Sequence, residues 1–107
     1  MSKYQIREST DRQFYFNLIA SNGEVLLTSE RYTARASARN GVGAVRDNSA
    51  VEARYSRLVS EAAEPYFVLK ANNGQVLATS EMYSSASARD AGIEAVKRAA
   101  PSARLEE

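Results

Sequence analysis

The feature that most constrains this 107-residue chain is an internal repeat. Asn22-Gly23 returns as Asn73-Gly74, 51 residues on, and the same gapless offset carries much of the rest. Tyr15-Phe16 meets Tyr66-Phe67, Leu18 meets Leu69, and Val25-Leu26 meets Val76-Leu77. Thr28-Ser29-Glu30 meets Thr79-Ser80-Glu81, Tyr32 meets Tyr83, Gly41 meets Gly92, and Ala44-Val45 meets Ala95-Val96. Tyr4 and Ser9 find Tyr55 and Ser60. A period near fifty residues is the range of whole supersecondary units. Two copies are too few for a long solenoid and suit a pseudo-twofold body, a homodimer fused into one chain.

Within each copy the pattern changes from strand-like to helix-like. Tyr4 and Ile6 alternate with Lys3, Gln5 and Arg7, which predicts a strand over 3–8. Ser9 to Arg12 reads as a turn, and the aromatic run over 14–20 as a second strand. Asn22-Gly23 then predicts a hairpin closed by a type I′ turn, with positive φ at both central residues, leading to a strand over 24–30. Pro65 to Ala71, Asn73-Gly74 and Gln75 to Ser80 repeat that hairpin, with Pro65 at the first strand residue, where a missing N–H is tolerated. Thr33 to Asp47 and Ser84 to Ala99 are rich in small residues at helical spacing, with Thr33 and Ser84 as expected N-caps. Gly41 and Gly92 stand at matching places inside the helices and imply close approach to the sheet. Gly43, in the first helix only, weakens it. Pro101 stops the second helix, leaving Ser102 to Glu106 as a short last strand.

Tyr55 to Ser60 aligns with the first strand of copy one, yet also stands where copy one needs its last strand. The halves, 1–52 and 53–107, thus share the segment 53–60, with no flexible linker. The expectation is a single cooperative α+β domain. Two tandem β3-α-β repeats share one mostly antiparallel sheet, with two helices packed on it.

The run Tyr-Phe-x-Leu-x-Ala-x-Asn-Gly-x-Val-Leu-x-Thr-Ser-Glu-x-Tyr, followed by a small-residue helix holding Gly92-Ile93-Glu94-Ala95-Val96, resembles the YegP-like family of uncharacterised bacterial proteins in its tandem-repeat form. The resemblance covers almost the whole chain. It implies units joined into one sheet by exchanged C-terminal strands, and it implies no activity. Copy one departs from it at Gly41-Val42-Gly43-Ala44-Val45.

Composition narrows the function classes. With no His and no Cys, His-dependent triads, thiolate nucleophiles, disulfides and zinc knuckles are excluded. Neither a Gly-rich dinucleotide loop nor a P-loop occurs. No cofactor or metal is expected, and no enzyme. Fourteen Lys and Arg against 13 Asp and Glu leave a net charge of +1, which gives no bulk grip on nucleic acid or anionic lipid. No secretory signal opens the chain and no apolar run approaches a membrane span, so the expectation is a cytoplasmic protein with no membrane partner. The fused repeat predicts a monomer.

The remaining candidates are surfaces. Thr28-Ser29-Glu30 and Thr79-Ser80-Glu81 offer hydroxyl and carboxylate groups without an activating base, and strand-end hydrogen bonding explains them. Glu61 and Glu64 read as a solvated loop. If both helices cover one face, Phe16, Leu18, Phe67 and Leu69 point inward. Tyr15, Asn17, Tyr66 and Lys70 then stand on the open face as candidate binding residues. Edge strands are a second route to a partner. Arg35 and Arg39, one helical turn apart, are the candidates for nucleic-acid phosphates, in a pattern copy two replaces with Ala86 and Asp90. The leading reading is a small non-enzymatic binding or interaction protein of unknown ligand. The alternative is a nucleic-acid-associated accessory protein using the Arg-rich first helix.

Overall fold

A computed structural model describes Met1–Glu107. Three strands, β1 (Lys3–Glu8), β2 (Phe14–Ile19) and β3 (Val25–Ser29), lead into the helix α1 (Arg35–Asn48). A single 3-10 turn (Glu52–Arg54) then opens the second copy, β4 (Tyr55–Val59), β5 (Pro65–Lys70), β6 (Val76–Thr79), α2 (Ala86–Ala99) and β7 (Arg104–Glu106). All seven strands form one sheet in the order β4-β5-β6-β3-β2-β1-β7. Every pairing is antiparallel except β1 with β7. The halves meet at β3 and β6, through Thr28 opposite Thr79 and Ser29 opposite Ala78. No helix is long and apolar enough to cross a membrane.

The helix-facing side of the sheet alternates as a half-buried strand should. Tyr4 and Ile6, Phe16 and Leu18, and Phe67 and Leu69 enter one cluster with Ala38, Val42 and Val45 of α1 and Ile93 and Val96 of α2. Each helix reaches across the molecular midline, α1 to β5 and β6 and α2 to β3. Both halves therefore fill one core.

Two tyrosines bind the halves reciprocally. The Tyr4 hydroxyl donates to the carbonyl of Ala100, past the end of α2, at 2.7 Å. The Tyr55 hydroxyl donates to the carbonyl of Ser49, past the end of α1, at 2.6 Å. The cation at the matching position of each helix covers the ring, Arg46 at 5.1 Å from Tyr4 and Lys97 at 5.7 Å from Tyr55. Burial pushes both phenols well above the ordinary tyrosine range. The Arg46 charge opposes this at Tyr4, whereas Glu52 and Glu94 add to it at Tyr55.

Three local expectations are corrected. The Asn-Gly hairpins do not use a type I′ turn: within each turn only the glycine has positive φ, 89° at Gly23 and 86° at Gly74. Gly23 N–H donates to the Ala20 carbonyl and Ala20 N–H to that of Glu24, which is a type I turn followed by a left-handed glycine bulge. The Asn22 side-chain oxygen accepts from Glu24 N–H at 2.9 Å, and Asn73 does the same for Gln75. The helix caps lie one residue later than Thr33 and Ser84. Ser85 Oγ accepts from Ala88 N–H at 3.0 Å, while the equivalent Ala34 has no side chain to cap with. The strand exchange is one-sided. β7 crosses to β1, pairing Leu105 with Tyr4, whereas Tyr55–Val59 serves only as the first strand of copy two and pairs only with β5. A segment continuous with β4 cannot also lie beside it, so the outer edge of β4 has no strand neighbour.

Candidate functional site

The sheet face away from the helices carries Tyr15, Asn17, Tyr66 and Lys70, as the alternation of β2 and β5 requires. They do not form one site. Asn17 is buried and fully engaged: its oxygen accepts from Arg7 Nε at 2.8 Å and its amide donates to Thr28 Oγ1 at 2.9 Å. It locks β1 to β2 and β2 to β3. Tyr15 is half-buried, and the Arg31 guanidinium stands 4.6 Å over its ring. Lys70 is half-buried on the same face, with no hydrogen bond or ion pair among the charged contacts of the fold.

Tyr66 is different. It lines a surface hollow of about 620 Å³ with Val59, Glu61, Glu64, Thr79 and Met82. Met82 occupies, in copy two, the place of Arg31, so the Tyr66 ring has no cation over it. Val59 is 62% exposed, Met82 46% and Leu58 38%, and they account for three of the five large apolar residues exposed in the whole chain. Sequence reasoning found Tyr66 and passed over Val59, Met82 and Leu58. It treated Glu61 and Glu64 as an isolated solvated loop. The clue lay in mismatches across the repeat, where Arg7, Glu8 and Arg31 of copy one become Leu58, Val59 and Met82.

The other candidates have structural partners. Arg39 makes a bidentate contact with the Glu107 carboxylate, at 2.7 and 2.8 Å, and Arg35 lies 3.9 Å from the same group. Arg35 also covers the Phe14 ring at 4.9 Å. The contact with Arg39 draws the Glu107 carboxyl below the usual carboxylate range. In the Thr-Ser-Glu motifs, Ser29 and Ser80 are buried and take the place of a ladder carbonyl. Their Oγ atoms accept from Phe16 N–H at 2.9 Å and Phe67 N–H at 3.0 Å and donate to the carbonyls of Glu30 and Glu81. Tyr32 and Tyr83 pack their rings against Gly41 and Gly92 ahead of the helices.

The sequence matches the family model described as a domain of unknown function, DUF1508, twice, over residues 9–56 and 60–107. The chain belongs to this family. A UPF0339 protein of Acinetobacter baylyi is 53% identical over 88% of this chain and 85% of the relative. The solution structure of a UPF0339 protein from Shewanella oneidensis matches with a TM-score of 0.91 at 46% identity, covering 98% of this chain and 89% of that one. That of yegP from E. coli, titled a protein of unknown function, matches at 0.92 and 41%, covering 98% and 90%. The UPF0339 relatives thus share the sheet and its paired helices, and the family's function is unknown.

Proposed function

We propose that this UPF0339 protein is a non-enzymatic interaction module that takes a partner at the Tyr66 hollow. The observation that carries this reading is the gathering of exposed apolar side chains beside a hollow large enough for several side chains of a partner. No group there has the base–nucleophile pairing that catalysis by Ser or Thr needs. We take the module as a cytoplasmic monomer; what supports the monomer is that β7 of the fused second repeat supplies to β1 the strand a separate copy would otherwise bring. Light scattering is expected to give a mass near 11.7 kDa. The nucleic-acid reading draws no support from Arg35 and Arg39, which face Glu107.

The test is a cross-linking interaction screen in bacterial cells with the intact chain and with Tyr66→Asp. Partners recovered with the first and lost with the second support the reading. Equal recovery with both overturns it.

A further inference from the structure

The pseudo-twofold relation puts β4 where β1 stands in the other half, and only β1 has a neighbour on its outer side. The free groups on β4 follow from its partner. Phe67 turns both backbone groups toward Ser80, its N–H to Ser80 Oγ and its carbonyl to Ser80 N–H. Antiparallel alternation then turns Tyr66 and Val68 toward β4, and their partners Leu58 and Ser56 toward β5. Arg57 and Val59 are left with N–H and C=O directed outward. Such an edge is a template for one more strand.

The surroundings of this edge specify what would lie there. In copy one the equivalent places are charged, as Arg7, Glu8 and Arg31; in copy two they are Leu58, Val59 and Met82. Charged residues are the usual protection of an exposed edge, and here they have been exchanged for apolar ones. Glu61 and Glu64 line the same hollow as Val59 and Met82, both exposed and neither in an ion pair. Some acids elsewhere are paired: Glu52, for instance, meets both Arg57 and Lys97. A second copy would bring the same sign of charge to the same corner.

From this edge and its rim we infer that β4 receives an extended segment of another protein, in which apolar residues alternate with Lys or Arg, as an eighth strand. The inference rests on the reading that the Tyr66 corner takes a partner, and it adds the partner's chemistry and backbone geometry. The segment's backbone pairs with Arg57 and Val59, its apolar side chains cover Val59 and Met82 at the hollow, and its cations face Glu61 and Glu64.

The probe is the capped peptide Lys-Val-Lys-Val-Lys-Val-Lys, titrated into the isotope-labelled intact chain, with the same peptide carrying Glu for Lys as control. The expected result is saturable shifts of the Arg57, Val59 and Met82 amides with the Lys peptide only. Val59→Pro removes an outward donor at an edge, where proline is tolerated, and is expected to weaken binding at least about tenfold with the far-ultraviolet spectrum unchanged. The triple change Leu58→Arg, Val59→Glu and Met82→Arg, which restores the residues of copy one, is expected to act in the same direction. No shift at these amides, equal shifts with both peptides, or full binding by both variants overturns the inference. Shifts of the same amides with protein concentration alone, together with a dimer mass, overturn it in favour of a second copy. If the Tyr66 screen succeeds while this titration fails, the corner still takes a partner, but not as an added basic strand.

Discussion

Gly41 and Gly43 stand two residues apart in α1 and do opposite things. A Cβ at Gly41 would strike the Tyr32 hydroxyl and lie 3.0 Å from Phe16 Cε2, whereas a Cβ at Gly43 would meet nothing within 4 Å. Gly41→Ala should therefore cost about 1–3 kcal/mol through overpacking. Gly43→Ala should add about 0.5–1 kcal/mol by improving helix propensity alone. Urea unfolding of the two variants measures both, and a loss of stability at Gly43→Ala would contradict the account. A second residue-scale expectation concerns the buried phenols. Tyr4 and Tyr55 hold their protons more tightly folded than unfolded, where tyrosine titrates near about pH 10. The stability linked to them is complete below that value and falls as pH rises above it. In an alkaline titration followed by tyrosinate absorbance, these two should ionise only as the far-ultraviolet signal collapses. Ionisation of all six tyrosines in an intact fold would contradict this.

At the scale of elements, most of the secondary structure was legible because period and punctuation agree. Tyr4 and Ile6 alternate, Asn-Gly closes each hairpin, and small residues recur at helical spacing. What escaped depends on one-residue shifts or on neighbours distant in sequence. Ser84-Ser85 offers two equal capping residues, and at Thr33-Ala34 composition favours Thr33, the residue the helix does not use. The choice falls on the second because the first continues the extended chain beyond the bridge of Tyr32 to Phe14. Because α1 lacks the cap that Ser85 gives α2, Ala34→Ser should stabilise the protein by about 0.5–1 kcal/mol. Thermal unfolding checks this, and an unchanged or lowered midpoint would count against it. Asn17 was placed on its face by alternation. Its engagement by Arg7 and Thr28 depends on strand order and was not legible.

At the scale of the whole molecule, the duplication was evident, and the one-sidedness of its closure was not. Each half of a symmetric pair can lend a last strand to the other, but in a continuous chain the residues after α1 must enter β4 directly. That covalent fact removes one of two strands and leaves the β4 edge open, beside the hollow that Tyr66 lines. The same duplication hid the candidate site, because agreement between copies marks the common scaffold and disagreement marks where they differ in use. Thr28-Ser29-Glu30 matches Thr79-Ser80-Glu81 and serves the sheet, whereas Arg31 and Met82 differ and alter the surface.

The account's central claim is that the two repeats, sharing one core and holding each other through Tyr4 and Tyr55, open together. Native-state hydrogen exchange in increasing sub-denaturing urea tests it most directly. The amides of Leu18 in β2 and Leu69 in β5 should converge on one opening free energy with one urea dependence. Two separate isotherms, with one half opening while the other stays protected, would contradict it.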